Sequence, residues 1–194
     1  MAERGQFITL EGGEGAGKST QARRLADRMA RCGLPVLRTR EPGGAPGAER
    51  LRRLLLDPDA TWSPFAETLL HFAARAEHVE RTIRPALAAG VWVVCDRFAD
   101  STMAYQGYGL SGDRAAIAAL TAMLGVRADL TLVLDVPVEV SVARLRERGG
   151  AVDRYEKLGG KMKLIVIPGK GHAEIPEYFK DERIVQFLID GGEK

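Results

Sequence analysis

Residues 11–20 read EGGEGAGKST. Within them Gly12, Gly17, Lys18 and Ser19 fall at the spacing G-x-x-x-x-G-K-[ST], with a strand pattern before and a helix pattern after. In that context the loop N–H groups and the helix N-terminus make an anion site. A lysine at 18 reaches the β- and γ-phosphates of a nucleoside triphosphate, and a hydroxyl at 19 ligates Mg²⁺. Gly12, Gly13, Glu14, Gly15, Ala16, Gly17, Lys18, Ser19 and Thr20 are therefore the candidate triphosphate loop. The loop names a ligand class and no reaction. Glu14 stands apart, because a carboxylate among phosphates either caps the loop's own N–H groups or serves a second ligand.

A second pair, Asp96-Arg97, directly follows the apolar run VWVVC at 91–95. A carboxylate there can hold Mg²⁺ through its waters, and the guanidinium fork can grip an acceptor phosphate with two bonds. Alone, the pair would read as a surface ion pair at a strand end; beside a phosphate loop it carries more weight.

These residues need elements to position them. FITLE (7–11) reads as a short buried strand, and a helix from Ser19 carries Ala22, Leu25, Ala26 and Met29 on one face until Gly33. LPVLRTR (34–40) reads as a strand ending in EPGGAPG, and ERLRRLLL (49–56) as a helix. Ser63 and Pro64 suit the cap and first turn of a long helix with Phe65, Leu69, Phe72, Ala76 and Val79 facing inward, restarted at Pro85. VWVVC suits the middle of a parallel sheet. Further on, 113–124 reads as a helix, LTLVLDV (130–136) as a buried strand and 138–148 as an Arg-rich helix; KLIVI (163–167) and DERIVQFLI (181–189) read as a last strand and helix. The alternation predicts a P-loop NTPase-like α/β fold, a doubly wound parallel sheet of about five strands flanked by helices, with ligands at the carboxyl ends of the strands.

Composition narrows the class. The chain has 194 residues, 45% hydrophobic and 28% charged, with net charge +2, which gives no reason to expect nucleic acid or a membrane as partner. No apolar run is long enough to span a bilayer, and MAERGQFITL is unlike a signal peptide. Cys32 and Cys95 suggest reduced thiols in the cytoplasm. Residues 1–156 hold twenty Arg and one Lys, Lys18, whereas 157–194 hold six Lys and one Arg, Arg183. Such a shift marks a candidate boundary, with 1–156 as a P-loop portion and 157–194 as a strand–loop–helix completing the same domain.

The stretches FITLEGGEGAGKSTQ, TREPGG (39–44), FAAR (72–75), DRF (96–98) and STMAYQGYG (101–109) occur in the order and spacing of bacterial thymidylate kinases. This resemblance runs through LDVPVEVSVARLRERGGAVDRYE and so covers about residues 5–156. It implies ATP-dependent phosphoryl transfer to dTMP, with ATP on the loop 12–20, Mg²⁺ at Ser19 and Asp96, and Lys18, Arg97, Arg148 and Arg154 as catalytic cations. It further implies that Glu14 accepts the 3′-hydroxyl of the acceptor sugar, which answers the question the loop raises. Arg40 and Arg97, with Gln106 nearby, resemble the grips on the acceptor phosphate. Arg75 resembles the donor to the thymine carbonyl, Thr102 the partner of the base edge and Phe72 the stacking ring, while Tyr105 would crowd a ribose 2′-hydroxyl. Of the four arginines Arg144, Arg146, Arg148 and Arg154 where the family has its lid, Arg148 and Arg154 are the ones expected to act. A packing role is expected for His71 and a helix-surface position for His78. The resemblance raises, without deciding, a homodimer.

After DRYEKL the family's return helix is missing, and KLIVIPGKGHAEIPEYFKDERIVQFLID resembles the end of an α/β-hydrolase, with His172 where that family keeps a catalytic His. No G-x-S-x-G nucleophile turn accompanies it, since Gly109-Leu110-Ser111-Gly112 does not match. Three readings follow: a thymidylate kinase impaired by an atypical C-terminus, a chimeric P-loop protein that binds nucleotide with little turnover, and, nearly excluded by the missing nucleophile, a hydrolase.

Overall fold

The computed structural model describes residues 4–137, 140, 141, 143 and 144. The chain forms two compact units, one of Met1–Glu11 and Ser19–Val133, the other of Gly12–Lys18 and Leu134–Lys194. The expected strand at 163–167, the helix at 181–189, Arg146, Arg148, Arg154, His172 and the boundary near 157 lie outside the described residues.

The elements in order are β1 (Phe7–Gly12), α1 (Lys18–Arg31), β2 (Val36–Arg40), α2 (Pro46–Leu55), α3 (Pro64–His78), a π-helical turn (Val79–Ile83), α4 (Arg84–Ala88), β3 (Trp92–Asp96), α5 (Ala99–Thr102), a second π-helical turn (Met103–Gly109), α6 (Arg114–Met123) and β4 (Leu130–Leu134). The sheet order is β2-β3-β1-β4, and β3 runs parallel to both β1 and β2. Four strands are thus described of the five expected. The apolar strand VWVVC takes an interior position, where both faces of Val93, Val94 and Cys95 are buried.

Local rules explain most boundaries. Ser63 Oγ accepts the Ala66 N–H and Pro64 opens α3. Asp113 Oδ1 caps α6 by accepting the N–H groups of Ala115 and Ala116. Pro85 has no N–H to give and its ring crowds the preceding turn; the helix widens into the π turn just before it and continues as α4. Phe7, Val79, Ile83, Leu87, Val93, Cys95, Phe98, Ala99 and Val126 form the core against β1 and β3, with Phe7 and Phe98 edge to face at 4.9 Å. Among the described residues no helix is long and apolar enough to cross a membrane.

Three expectations are corrected. Phe65 and Leu69 are 59% and 43% exposed and Ala76 is exposed; the buried face of α3 is Thr68, Phe72, Arg75 and His78 instead. His78 is not on the helix surface but 0% exposed. Hydrogen bonds from Arg75 and His78 to one buried carboxyl hold these polar positions inside and turn the apolar ones outward. β4 is not a buried strand throughout, since Val133 is exposed and only Leu134 is buried.

Candidate active site

In the unit that holds the loop, Lys18 is buried, and its Nζ donates to the carbonyl oxygens of Gly12 and Gly13 at 2.9 and 2.6 Å. Gly12 has φ 136°, and a Cβ there would lie 2.3 Å from the Leu134 carbonyl oxygen. Gly15 has φ 75°, and a Cβ there would lie 2.7 Å from the Ser141 carbonyl oxygen. At both positions only glycine fits the backbone and the space. Arg144 Nη1 donates to the Gly15 carbonyl at 3.1 Å, so among the family-lid arginines one that sequence reasoning passed over touches the loop. Glu14 is exposed.

The other unit carries the remaining groups at the carboxyl ends of β1, β2 and β3, where parallel sheets expose their ligand sites. Ser19 Oγ donates to Asp96 Oδ2. These two hard oxygens fit Mg²⁺, which takes one or two protein ligands and keeps several waters. Arg97 follows with φ 71°, a left-handed conformation that re-aims the chain as it leaves β3. Its Nη1 donates to Ser101 Oγ at 3.0 Å and its Nη2 to the Tyr105 hydroxyl at 3.3 Å, with the guanidinium 5.1 Å from the Tyr105 ring centre.

Beneath this lies Glu11, buried at the end of β1. Its Oε1 accepts the Phe98 N–H at 2.7 Å and its Oε2 accepts the Ser101 hydroxyl at 2.6 Å. Burial raises the pKa of its carboxyl, against the pull of the Ser101 and Phe98 hydrogen bonds. Glu41, just past β2, is buried as well. Its Oε2 accepts Arg75 Nε at 2.6 Å and its Oε1 faces His78 Nδ1 at 3.0 Å. Arg75 Nη2 donates to the Phe98 carbonyl and to Thr102 Oγ1 at 3.1 and 2.9 Å, while its buried Nη1 has no partner among the described residues. The guanidinium lies 5.0 and 5.4 Å from the ring centres of Phe72 and Phe98.

Arg40 is exposed and pairs with Glu49 at 3.1 Å. The Glu49 carboxyl is held low first by the Gly44 N–H and only then by Arg40, so the pair itself is a weak surface contact. Gln106 is buried and its Nε2 donates to Glu67 at 2.8 Å. Burial pushes the His71 pKa down to about 4, helped by the Arg75 charge.

The profile of the thymidylate kinase family matches residues 10–163. The chain belongs to the thymidylate kinase family. The thymidylate kinase of Caulobacter vibrioides is 56% identical over 158 residues, covering 80% of this chain and 76% of that protein. The thymidylate kinase of Ruegeria pomeroyi is 50% identical over 165 residues, covering 84% and 78%. A crystal structure of thymidylate kinase from Ehrlichia chaffeensis superposes with TM-score 0.65 at 37% identity, covering 80% of this chain and 89% of that one.

Set among the thymidylate kinases, this chain brings Ser19, Asp96, Arg97 and Tyr105 into one connected set and Arg75, Thr102 and Phe72 into another. Sequence reasoning missed Glu11, Glu41, Ser101 and His78, which hold the arginines of both sets. The signal for the two carboxylates was present: each is an acidic residue at the carboxyl end of a parallel strand.

Proposed function

We propose that this chain transfers the γ-phosphoryl group of ATP to dTMP, giving ADP and dTDP. The observation that carries this reading is the thymidylate kinase family match across residues 10–163, which spans the phosphate loop and the later motifs. An oxygen of the acceptor phosphate attacks the γ-phosphorus as the bond to the β–γ bridging oxygen breaks, and the electron pair leaves with ADP. The acceptor is already anionic at neutral pH, so alignment and charge neutralisation carry the rate and no general base is needed.

Lys18 neutralises charge on the β- and γ-phosphates, and its donation to two loop carbonyls keeps its ammonium at the loop. Ser19 and Asp96 would hold Mg²⁺, which would supply positive charge to the triphosphate. Arg97 and Arg40 grip the acceptor phosphate with Gln106 nearby, Glu14 accepts the 3′-hydroxyl and Tyr105 excludes a 2′-hydroxyl. Arg75 reads the base carbonyl, a role supported by its buried Nη1, a donor with no partner among the described residues. Thr102 lines the base edge and Phe72 supplies the apolar wall. Arg148 and Arg154 close over ATP. We also place the protein in the cytoplasm, which its free Cys32 and Cys95 suit, and as a homodimer, for which the exposed Phe65 and Leu69 on α3 suit a subunit contact.

Release of ADP that requires dTMP, ATP and Mg²⁺ together tests the activity; release independent of dTMP would overturn it. A nucleotide-binding protein with little turnover is not favoured, given relatives 50–56% identical over about four-fifths of the chain. The change from Arg to Lys near residue 157 supports a narrower reading, a hydrolase-like graft over 157–194 that weakens turnover. The family match reaches residue 163, past that change. Replacing 157–194 with a family-like helix, strand and helix raises kcat on the graft reading; an unchanged kcat ends it.

A further inference from the structure

We infer that His78 is a positioning residue for the Arg75 guanidinium, acting through the Glu41 carboxyl. The inference rests on the reading of Arg75 as the group that addresses the pyrimidine carbonyl.

The contacts form one chain. Thr39 Oγ1, on β2, lies 2.8 Å from His78 Nε2, and His78 Nδ1 lies 3.0 Å from Glu41 Oε1. The other carboxyl oxygen, Oε2, takes Arg75 Nε at 2.6 Å. Glu41 is fixed at its backbone too, since its N–H donates to the Asp96 carbonyl at 2.9 Å. His78, Glu41 and Arg75 are all nearly inaccessible, at 0%, 5% and 3%.

Each oxygen of Glu41 is therefore engaged by a different donor from a different direction, and its terminal torsion is locked. A guanidinium and a carboxylate left to themselves favour a two-pronged pairing of Nε and Nη2 with both oxygens. His78 blocks that pairing by occupying Oε1. Arg75 Nη2 consequently stays on the Phe98 carbonyl and Thr102 Oγ1, and the plane of the guanidinium is set with Nη1 unspent. Without His78 the carboxyl rotates, draws Nη2 away from Phe98 and Thr102, and turns Nη1 from its direction. His78 also packs tightly, because a Cβ on Gly44 would come within 2.3 Å of the ring. The test must separate positioning from packing.

Steady-state kinetics on four variants of the full chain do so. His78→Leu keeps a similar volume and removes both ring nitrogens; we expect the KM for dTMP to rise about tenfold, the effect of one charge-assisted hydrogen bond, with the KM for ATP little changed. His78→Asn, whose amide can donate where Nδ1 did, restores most of the loss. Arg75→Ala raises the KM for dTMP by itself, and His78→Leu added to it has no further effect. If Arg75→Ala raises that KM while His78→Leu does not, or if the two effects multiply, the relay is wrong. If Arg75→Ala leaves it unchanged, the base-reading role of Arg75 falls and the inference with it. A measurement without variants guards against a His78→Leu protein that fails to fold. The ring ¹⁵N resonances of His78 should shift on addition of dTMP and stay put with ATP alone. Resonances unmoved by saturating dTMP overturn the proposal.

Discussion

The hydroxyl of Ser19 donates to Asp96 Oδ2, tying the residue after the loop lysine to the last residue of an interior strand. Both atoms are the hard oxygens that a divalent cation on a triphosphate would use. Asp96→Asn keeps an acceptor for Ser19 and loses the charge. The Mg²⁺ concentration giving half-maximal rate should then rise by about tenfold or more, with Ser19→Ala moving the same way to a smaller extent. A Mg²⁺ titration at fixed ATP and dTMP decides it, and an unchanged midpoint removes both residues from the metal role.

Glu14 is exposed, and its proposed partner is the acceptor sugar. Glu14→Gln turns a carboxylate acceptor into an amide, and the KM for dTMP should rise about tenfold while the KM for ATP holds. Should ATP suffer and dTMP not, the carboxylate serves the triphosphate loop itself.

Tyr105 has two jobs that substitution can separate. Its hydroxyl accepts from Arg97 and its ring lies against the Arg97 guanidinium. Tyr105→Phe keeps the ring, so discrimination against the ribonucleotide should persist with a modest rise in the KM for dTMP. Tyr105→Ala should lose discrimination as well. Comparing dTMP with its ribo analogue for both variants tests this, and equal discrimination in wild type and Tyr105→Ala ends the steric assignment.

His71 makes stability depend on pH. Its folded pKa is lowered to about 4 from about 6.5, chiefly by burial. Between those values the unfolded chain binds a proton that the folded chain does not, so stability is full above pH 6.5 and falls as pH drops toward 4. The loss is up to about 3 kcal/mol for the full shift. In urea denaturation, His71→Leu should lose less stability than wild type between pH 7.5 and 5. Parallel losses would show that His71 already titrates normally in the native state.

The ends of the elements were legible because they depend on neighbours in sequence: Ser63 and Pro64 open α3 and Asp113 caps α6 as local chemistry requires. The inward face of α3 was not legible. Its rotation depends on Glu41, 37 residues before His78, and an apolar count gives no weight to a buried polar group that is paired at long range. The two π turns were equally hidden, since a residue added to a helical turn leaves no compositional mark; the second carries Tyr105 and Gln106 and sets the first toward solvent and the other inward. Lys18, Ser19 and Asp96 could be read directly from a motif and a strand end, whereas the carboxylates that brace Arg75 and Arg97 needed the sheet to bring β1, β2 and β3 side by side.

The sheet order has a consequence in time. β1 pairs with β3, Phe7 opposite Val93, and β2 also pairs with β3, Val36 opposite Trp92, so β1 and β2 share no ladder with each other. A ribosome adding about 5–20 residues per second needs about 4–17 s to pass from Phe7 to Val93. Throughout that interval the apolar strand leading into the phosphate loop lacks the strand it pairs with; Val79, Ile83 and Leu87 can cover Phe7 from one side, but the open ladder edge is a target for chaperones or for stray pairing with another chain. Nascent chains halted before Trp92 leaves the exit tunnel should remain protease-sensitive throughout, and protection earlier than that would mean β1 finds shelter without its sheet.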